Sequence, residues 1–150
     1  MDANKHWFKD GLKFECNGCG KCCCGEPGFI WVNTEEIKEI SLFLNIETEE
    51  FISKYTFTYN NKRSLREVKI SESNYDCIFL KNNQCEIYEA RPTQCRTYPW
   101  WPAILKSKKS WKEEKPYCEG ISAESKNVPA EEILKQLKKQ EQYIKTLPLS

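Results

Sequence analysis

Five cysteines fall within nine positions of the segment "FECNGCGKCCCGEPG", residues 14–28: Cys16, Cys19, Cys22, Cys23 and Cys24. Cys77, Cys85, Cys95 and Cys118 follow singly, which makes nine thiols in 150 residues. A C-x2-C pair folded over a tight turn lets two sulfurs converge on one metal. The spacing therefore recurs in structural zinc sites and in iron–sulfur proteins. One such pair is a weak signal, but two overlapping pairs followed by adjacent cysteines are a strong one. Neighbouring residues in an extended segment point to opposite sides. Cys22 and Cys23 therefore feed two sites, or two metals of one cluster. Each sulfur binds deprotonated, so a zinc held by four thiolates is a dianion. Lys21, Arg91 and Arg96 are the candidate donors that would offset this charge.

Other uses of cysteine fit less well. The odd count forbids complete intramolecular pairing, and "MDANKHWFKDGLKF" has no apolar run of the kind a signal peptide needs. The expected location is the cytoplasm, where thiols stay reduced and metal ligation is favoured over disulfides. Burial as a small apolar side chain explains one or two cysteines but not five in nine. A thioredoxin-type redox pair needs a βαβ setting that the pattern lacks.

The elements that must position these residues read as follows. Residues 1–15 form an irregular lead-in anchored by Trp7, Phe8, Leu12 and Phe14. The cysteine cluster ends in a turn at Gly25–Gly28. "FIWVN", from Phe29, is a short strand. Thr34 caps a helix over 35–44, with Asn45 closing it, and Thr48 caps a second helix over 49–55. "TFTYNNKRSLREVKI" forms a hairpin around an Asn-Asn turn. "DCIFLKNNQCEIY" forms another, with Cys77 and Cys85 facing each other across it in a zinc-knuckle-like arrangement. Cys95 lies in a helical turn opened by Pro92 and ended by Pro99 and Pro102. The Lys-rich stretch 103–117 reads as a loop or exposed strands. Pro129 opens a last helix, 130–147, whose apolar stripe is Ile133, Leu134, Leu137 and Ile144. Together these predict one small α+β domain, 1–150, of short helices and β-hairpins organised around cysteine–metal sites.

The blocks "CNGCGKCC" and "DCIFLKNNQCEIYEARPTQCRTYP" resemble the YkgJ-type cysteine cluster family of bacterial proteins. That family is a zinc- or iron-chelating domain named for its C-x-x-C-x-x-C-C motif. The similarity runs from about Phe14 to about Cys118. Carried over by position, it implies metal ligands at Cys16, Cys19, Cys22, Cys23, Cys77, Cys85, Cys95 and Cys118, the last in the loosest match. Cys24 departs from the pattern and is either an idle thiol or an alternate to Cys23. The resemblance implies a metal-binding role with zinc or iron as cofactor, an iron–sulfur cluster being one form the iron could take. A related branch, the flagellin lysine N-methylases, adds the alternative of redox chemistry or S-adenosylmethionine-dependent protein modification.

Composition excludes several function classes. Net charge is +1, so there is no electrostatic footprint for nucleic acid. No stretch approaches the roughly 18 apolar residues of a membrane span. The sole histidine, His6, sits in the lead-in, so no Ser/His/Asp set can be built around it, and "NGCGKC" is too short a match for a nucleotide loop. All-thiolate ligation suits zinc and iron–sulfur clusters alike. The aromatics of "YPWWP" (98–102), with Trp7, Trp31 and Trp111, are expected to pack into the core. Their exposed alternative is a Trp/Tyr-rich surface for a protein partner.

Overall fold

The structure, a computed structural model, describes residues 3–16, the backbone of 24–25, and residues 28–147. A 3-10 turn (Ala3–Lys5) leads into β1 (Leu12–Lys13), followed by β2 (Cys24–Gly25), α1 (Thr34–Leu44) and α2 (Thr48–Tyr55). The middle of the chain holds β3 (Thr56–Tyr59), β4 (Lys62–Leu65), β5 (Glu67–Ser71), β6 (Asn74–Cys77), β7 (Leu80–Lys81) and β8 (Gln84–Cys85). After a 3-10 turn at Tyr88–Ala90 come α3 (Thr93–Thr97), α4 (Pro102–Leu105), α5 (Lys108–Glu114) and a further 3-10 turn (Lys115–Tyr117). The chain ends in β9 (Asn127–Val128) and α6 (Ala130–Thr146). This is a small α+β domain of short helices and antiparallel strand pairs.

Local chemistry sets the helix starts. Asn33, not Thr34, caps α1: its side chain accepts from the Glu36 amide at 2.8 Å, and Glu36 accepts from the Asn33 amide at 3.1 Å. Asn33 wins because Glu36 lies three residues after it, the spacing of a capping box. Asn45 closes α1 with φ 58°, as its amide-bearing side chain tolerates. Thr48 is likewise the first helical residue of α2, whose cap is Glu47. Pro92 caps α3 rather than occupying its first position. Pro102 opens α4, where its missing N–H costs nothing, instead of ending a helix. The stretch expected as loop or strand is helical because Ser107 caps α5, accepting from the Ser110 amide at 3.1 Å, and Trp111 is buried on its inner side.

The strand pairs differ from expectation at one place that concerns the cysteines. Both Asn-Asn turns hold positive φ at both residues, as two-residue hairpin loops require. The second turn, Asn82–Asn83, fixes Leu80 opposite Cys85. Cys77 therefore does not face Cys85. It ends β6, opposite Glu67, in a three-stranded sheet ordered β2-β6-β5. A two-residue loop brings only its immediate neighbours into register, and Cys77 lies too far upstream to pair. β5 likewise leaves the first hairpin and pairs with β6. The "FIWVN" stretch lies along β4 through Val32–Arg63 and Leu65–Ile30 backbone bonds, both 2.9 Å, but makes only an isolated bridge, Trp31 to Ser64.

Among the described residues, two apolar clusters are the packing centres. The first gathers both ends of the chain: Phe8, Trp100, Ile104, Leu105, Trp111, Cys118, Ile121 and the α6 residues Ala130, Ile133 and Leu134. The second belongs to the middle: Val32, Ile37, Ile40, Phe51, Leu65, Phe79 and Ile87. The lead-in is thus docked, with Phe8 buried, the Trp7 indole donating to the Leu105 carbonyl at 2.7 Å, and β1 paired to β9. On α6, Ile144 is exposed, while Gln140 and Tyr143 take the inner face beyond Leu137. "YPWWP" packs as expected, with Trp100 buried and stacked on Trp111 at 5.3 Å.

The loop after Cys118 meets the segment before Cys16 at backbone contact. The Glu15 amide donates to the Gly120 carbonyl at 3.0 Å, and a Cβ at position 120 would lie 2.4 Å from the Glu15 carbonyl oxygen. Gly120→Ala is expected to destabilise the fold by about 2 kcal/mol, the usual scale of overpacking, as read from urea unfolding.

Candidate metal centre

The five cysteines whose side chains are described sit at five separate places along the chain. Cys16 is exposed, two residues past the end of Phe14, and its sulfur accepts from the Tyr88 hydroxyl at 3.7 Å. Cys77 and Cys85 are half-buried at the edge of the second apolar cluster. Cys95, also half-buried, is in the middle of α3, with its amide bonded to the Pro92 carbonyl at 3.0 Å. Cys118 is buried inside the first cluster, at the end of the Lys115–Tyr117 turn. Cys19, Cys22 and Cys23, together with Lys21, lie outside the described residues, as does the Cys24 side chain. The turn expected at 25–28 lies partly outside them too, and Gly25 is in β2.

Backbone pairing carries the cysteine segment toward the downstream thiols at both of its ends. On the entry side, Glu15 is bonded to Gly120, two residues from Cys118. Cys16 itself reaches Tyr88, which leads into Arg91, Pro92 and the Cys95 helix. On the exit side, Cys24 is paired with Asp76, the neighbour of Cys77. The Gly28 amide then donates to Glu67, the residue opposite Cys77, at 3.4 Å. Among the described residues, no three His, Cys, Asp or Glu side chains come together as a metal-holding group. His6 stacks on Phe8 at 5.0 Å and belongs to the docked lead-in rather than to this region.

Cys95 is positioned by a buried polar network that the sequence does not announce. Glu36, 5% exposed, accepts from the Asn33 amide, from the Thr93 amide at the start of α3, and from the Tyr143 hydroxyl of α6. These donors satisfy a carboxylate that would otherwise be costly to bury. Gln94 spans the other way: it accepts from the Trp31 amide at 3.1 Å and donates to the Phe29 carbonyl at 2.7 Å. Thr97 donates to Gln140 of α6 at 2.8 Å, and the Trp101 indole donates to the Gln94 carbonyl at 3.0 Å. Both ends of α3 are therefore tied to neighbours. The one legible signal for this was Glu36 itself, three residues past a capping Asn; its remote partners leave no local trace.

Two of the expected charge-balancing residues are described. Arg91 lies over the Tyr88 ring, 3.8 Å from its centroid, and its Nε donates to the Tyr88 carbonyl at 2.8 Å. Arg96 donates to Thr93 at 3.1 Å, on the outer side of α3, where an open cleft of about 520 Å³ separates it from Lys139 of α6.

The chain matches the family model of CxxCxxCC, described as a "putative zinc- or iron-chelating domain", over residues 15–119. This chain belongs to the CxxCxxCC family. No solved structure matches it. The family's matched span runs from just before Cys16 to just after Cys118, the two positions joined by the Glu15–Gly120 contact. The donor chemistry of this CxxCxxCC chain fits zinc or iron: its candidate ligands are sulfurs, which both metals accept.

Burial, foremost, and the bond to Glu36 push the Tyr143 phenol well above its ordinary value, and the nearby Glu36 and Cys95 charges add to this. A raised pKa stabilises the fold fully below the ordinary tyrosine value of about 10, and the contribution is lost as pH climbs past it. In an ultraviolet titration, one of the seven tyrosines should ionise only with alkaline unfolding, and Tyr143→Phe should remove that late phase. The same substitution should cost about 2 kcal/mol at neutral pH by urea unfolding, since it strips a donor from a buried carboxylate.

Proposed function

We propose that this chain is a metal-binding protein that chelates zinc or iron through the thiolates of Cys16, Cys19, Cys22, Cys23, Cys77, Cys85, Cys95 and Cys118. Its role is mainly structural or metal-holding, within one domain over 1–150 whose motif region is about 14–118. Membership of a zinc- or iron-chelating family supports the metal class. The observation that carries the ligand set is the anchoring of the cysteine segment at both ends, Glu15 to Gly120 near Cys118 and Cys24 to Asp76 beside Cys77. Chains that bring widely separated cysteines to one region do so at an entropic cost that metal binding offsets.

The bound metal would supply cross-links between elements too short to hold each other. The protein's part is to present deprotonated sulfurs, orient them, and balance their charge. Cys24, on the strand that pairs with β6, is the odd thiol and is assigned no ligand role. The nine-thiol count suits a reducing, cytoplasmic setting. No helix among the described residues is long and apolar enough to cross a membrane.

The test is anaerobic purification without added metal, followed by metal and acid-labile sulfide analysis and an absorption spectrum. About two zinc per chain, without sulfide or a visible band, is expected if eight thiolates form closed sites. Iron with sulfide and a broad band near roughly 400 nm would assign an iron–sulfur cluster instead and favour redox or protein-modifying chemistry. Absence of both metals overturns the proposal. Cys16→Ser, Cys19→Ser, Cys77→Ser, Cys85→Ser and Cys95→Ser should each lower bound metal, and Cys24→Ser should leave it nearly unchanged. A Cys24→Ser variant that alone strips metal, with Cys23→Ser harmless, would reverse the assignment of the adjacent pair.

A further inference from the structure

We infer that Tyr88 is a positioning residue for the metal centre, donating its hydroxyl hydrogen bond to the sulfur of Cys16 and thereby tuning the metal that Cys16 holds. The inference rests on Cys16 being a ligand, as proposed above. The Tyr88 hydroxyl lies 3.7 Å from the Cys16 sulfur, within hydrogen-bonding reach for a sulfur acceptor, across 72 residues of sequence. Both residues are exposed, so water would compete for the hydroxyl unless the ring were held. Arg91 holds it. Its guanidinium covers the ring face at 3.8 Å, and its Nε is bonded to the Tyr88 carbonyl at 2.8 Å.

The arrangement also suits the electrostatics. A centre built from thiolates carries excess negative charge. Cation over ring draws electron density from the phenol and makes the hydroxyl a stronger donor to such a sulfur. Arg91 precedes Pro92, which restricts its backbone to the extended conformation seen, φ −55° and ψ 141°. Pro92 in turn caps the Cys95 helix. One short run, Tyr88 to Cys95, thus carries a candidate ligand at its end and a donor to a second candidate ligand at its start. Hydrogen bonds to ligating atoms set metal affinity and ligand basicity in other metalloproteins, and their loss weakens binding.

The test is titration of the reduced, metal-free chain with Co²⁺ alone, following the sulfur-to-cobalt absorption band, for wild type, Tyr88→Phe and Cys16→Ser. Tyr88→Phe removes only the hydroxyl from an exposed ring. It should keep the full band intensity, move the band to longer wavelength because the sulfur is left more electron-rich, and weaken binding about tenfold. A merely structural role would not move the band. An unmoved band in Tyr88→Phe overturns the inference, whatever happens to the affinity. Cys16→Ser should lose part of the band intensity. If it keeps all of it, Cys16 is not a ligand, and the failure belongs to the ligand assignment rather than to Tyr88.

Discussion

The burial of Glu36 is the interaction on which the architecture turns. A carboxylate nearly sealed from water is tolerable only with strong donors on its oxygens. Here the donors come from three places: the start of its own helix, the first amide of α3, and the Tyr143 hydroxyl on α6. The first helix belongs to the middle apolar cluster, whereas α6 belongs to the cluster built from the two chain ends. Glu36 therefore joins two cores that share no buried apolar residue, and it does so through the short helix that carries Cys95. Gln94 and Thr97 repeat the device on the same helix.

Such a joint has a consequence for any ligand on α3. A helix of five residues has little intrinsic stability. Its position must come from tertiary bonds, and hydrogen bonds are directional where apolar contacts are not. Cys95 is thereby held at a defined place between the two clusters. Cys77 and Cys85 are held differently, each at the end of a strand against the middle cluster, and Cys118 by burial among tryptophans. The four are supported independently of one another.

Two groups of aromatic residues contrast. Those of "YPWWP" hold the terminal cluster together, Tyr98 bonded to Glu114 and Trp100 stacked on Trp111. A second group lies at the surface beside the first hairpin: Phe29 stacks on Trp31 at 4.6 Å and touches Phe57 and Tyr59. The Trp/Tyr-rich motif most conspicuous in the chain is thus core, and the exposed rings come from less conspicuous positions. Lys62 sits over Trp31 at 5.3 Å and covers part of that face.

By itself, the sequence determined the chemistry and the local elements. Cysteine spacing named sulfur as the candidate ligand, because sulfur geometry over a turn is a matter of a few residues. Helix and hairpin positions were legible for the same reason: the Asn33–Glu36 box, left-handed Asn45 and the two Asn-Asn turns act within four residues. The α1 cap slipped by one residue because Asn and Thr both qualify. Where the sequence misled, a long-range contact decided. Cys77 and Cys85 looked like partners across one hairpin, but strand register gave Cys77 to a different sheet. The Lys-rich stretch looked like loop, but burial of Trp111 made it helix. The lead-in is anchored by Phe8, as its apolar residues implied, and the tertiary structure added the pairing of β1 with β9. Only the tertiary structure set Tyr88 against Cys16, Glu15 against Gly120 and Glu36 against Thr93 and Tyr143. Those contacts join residues 57 to 107 positions apart, and no local pattern encodes a partner that far away.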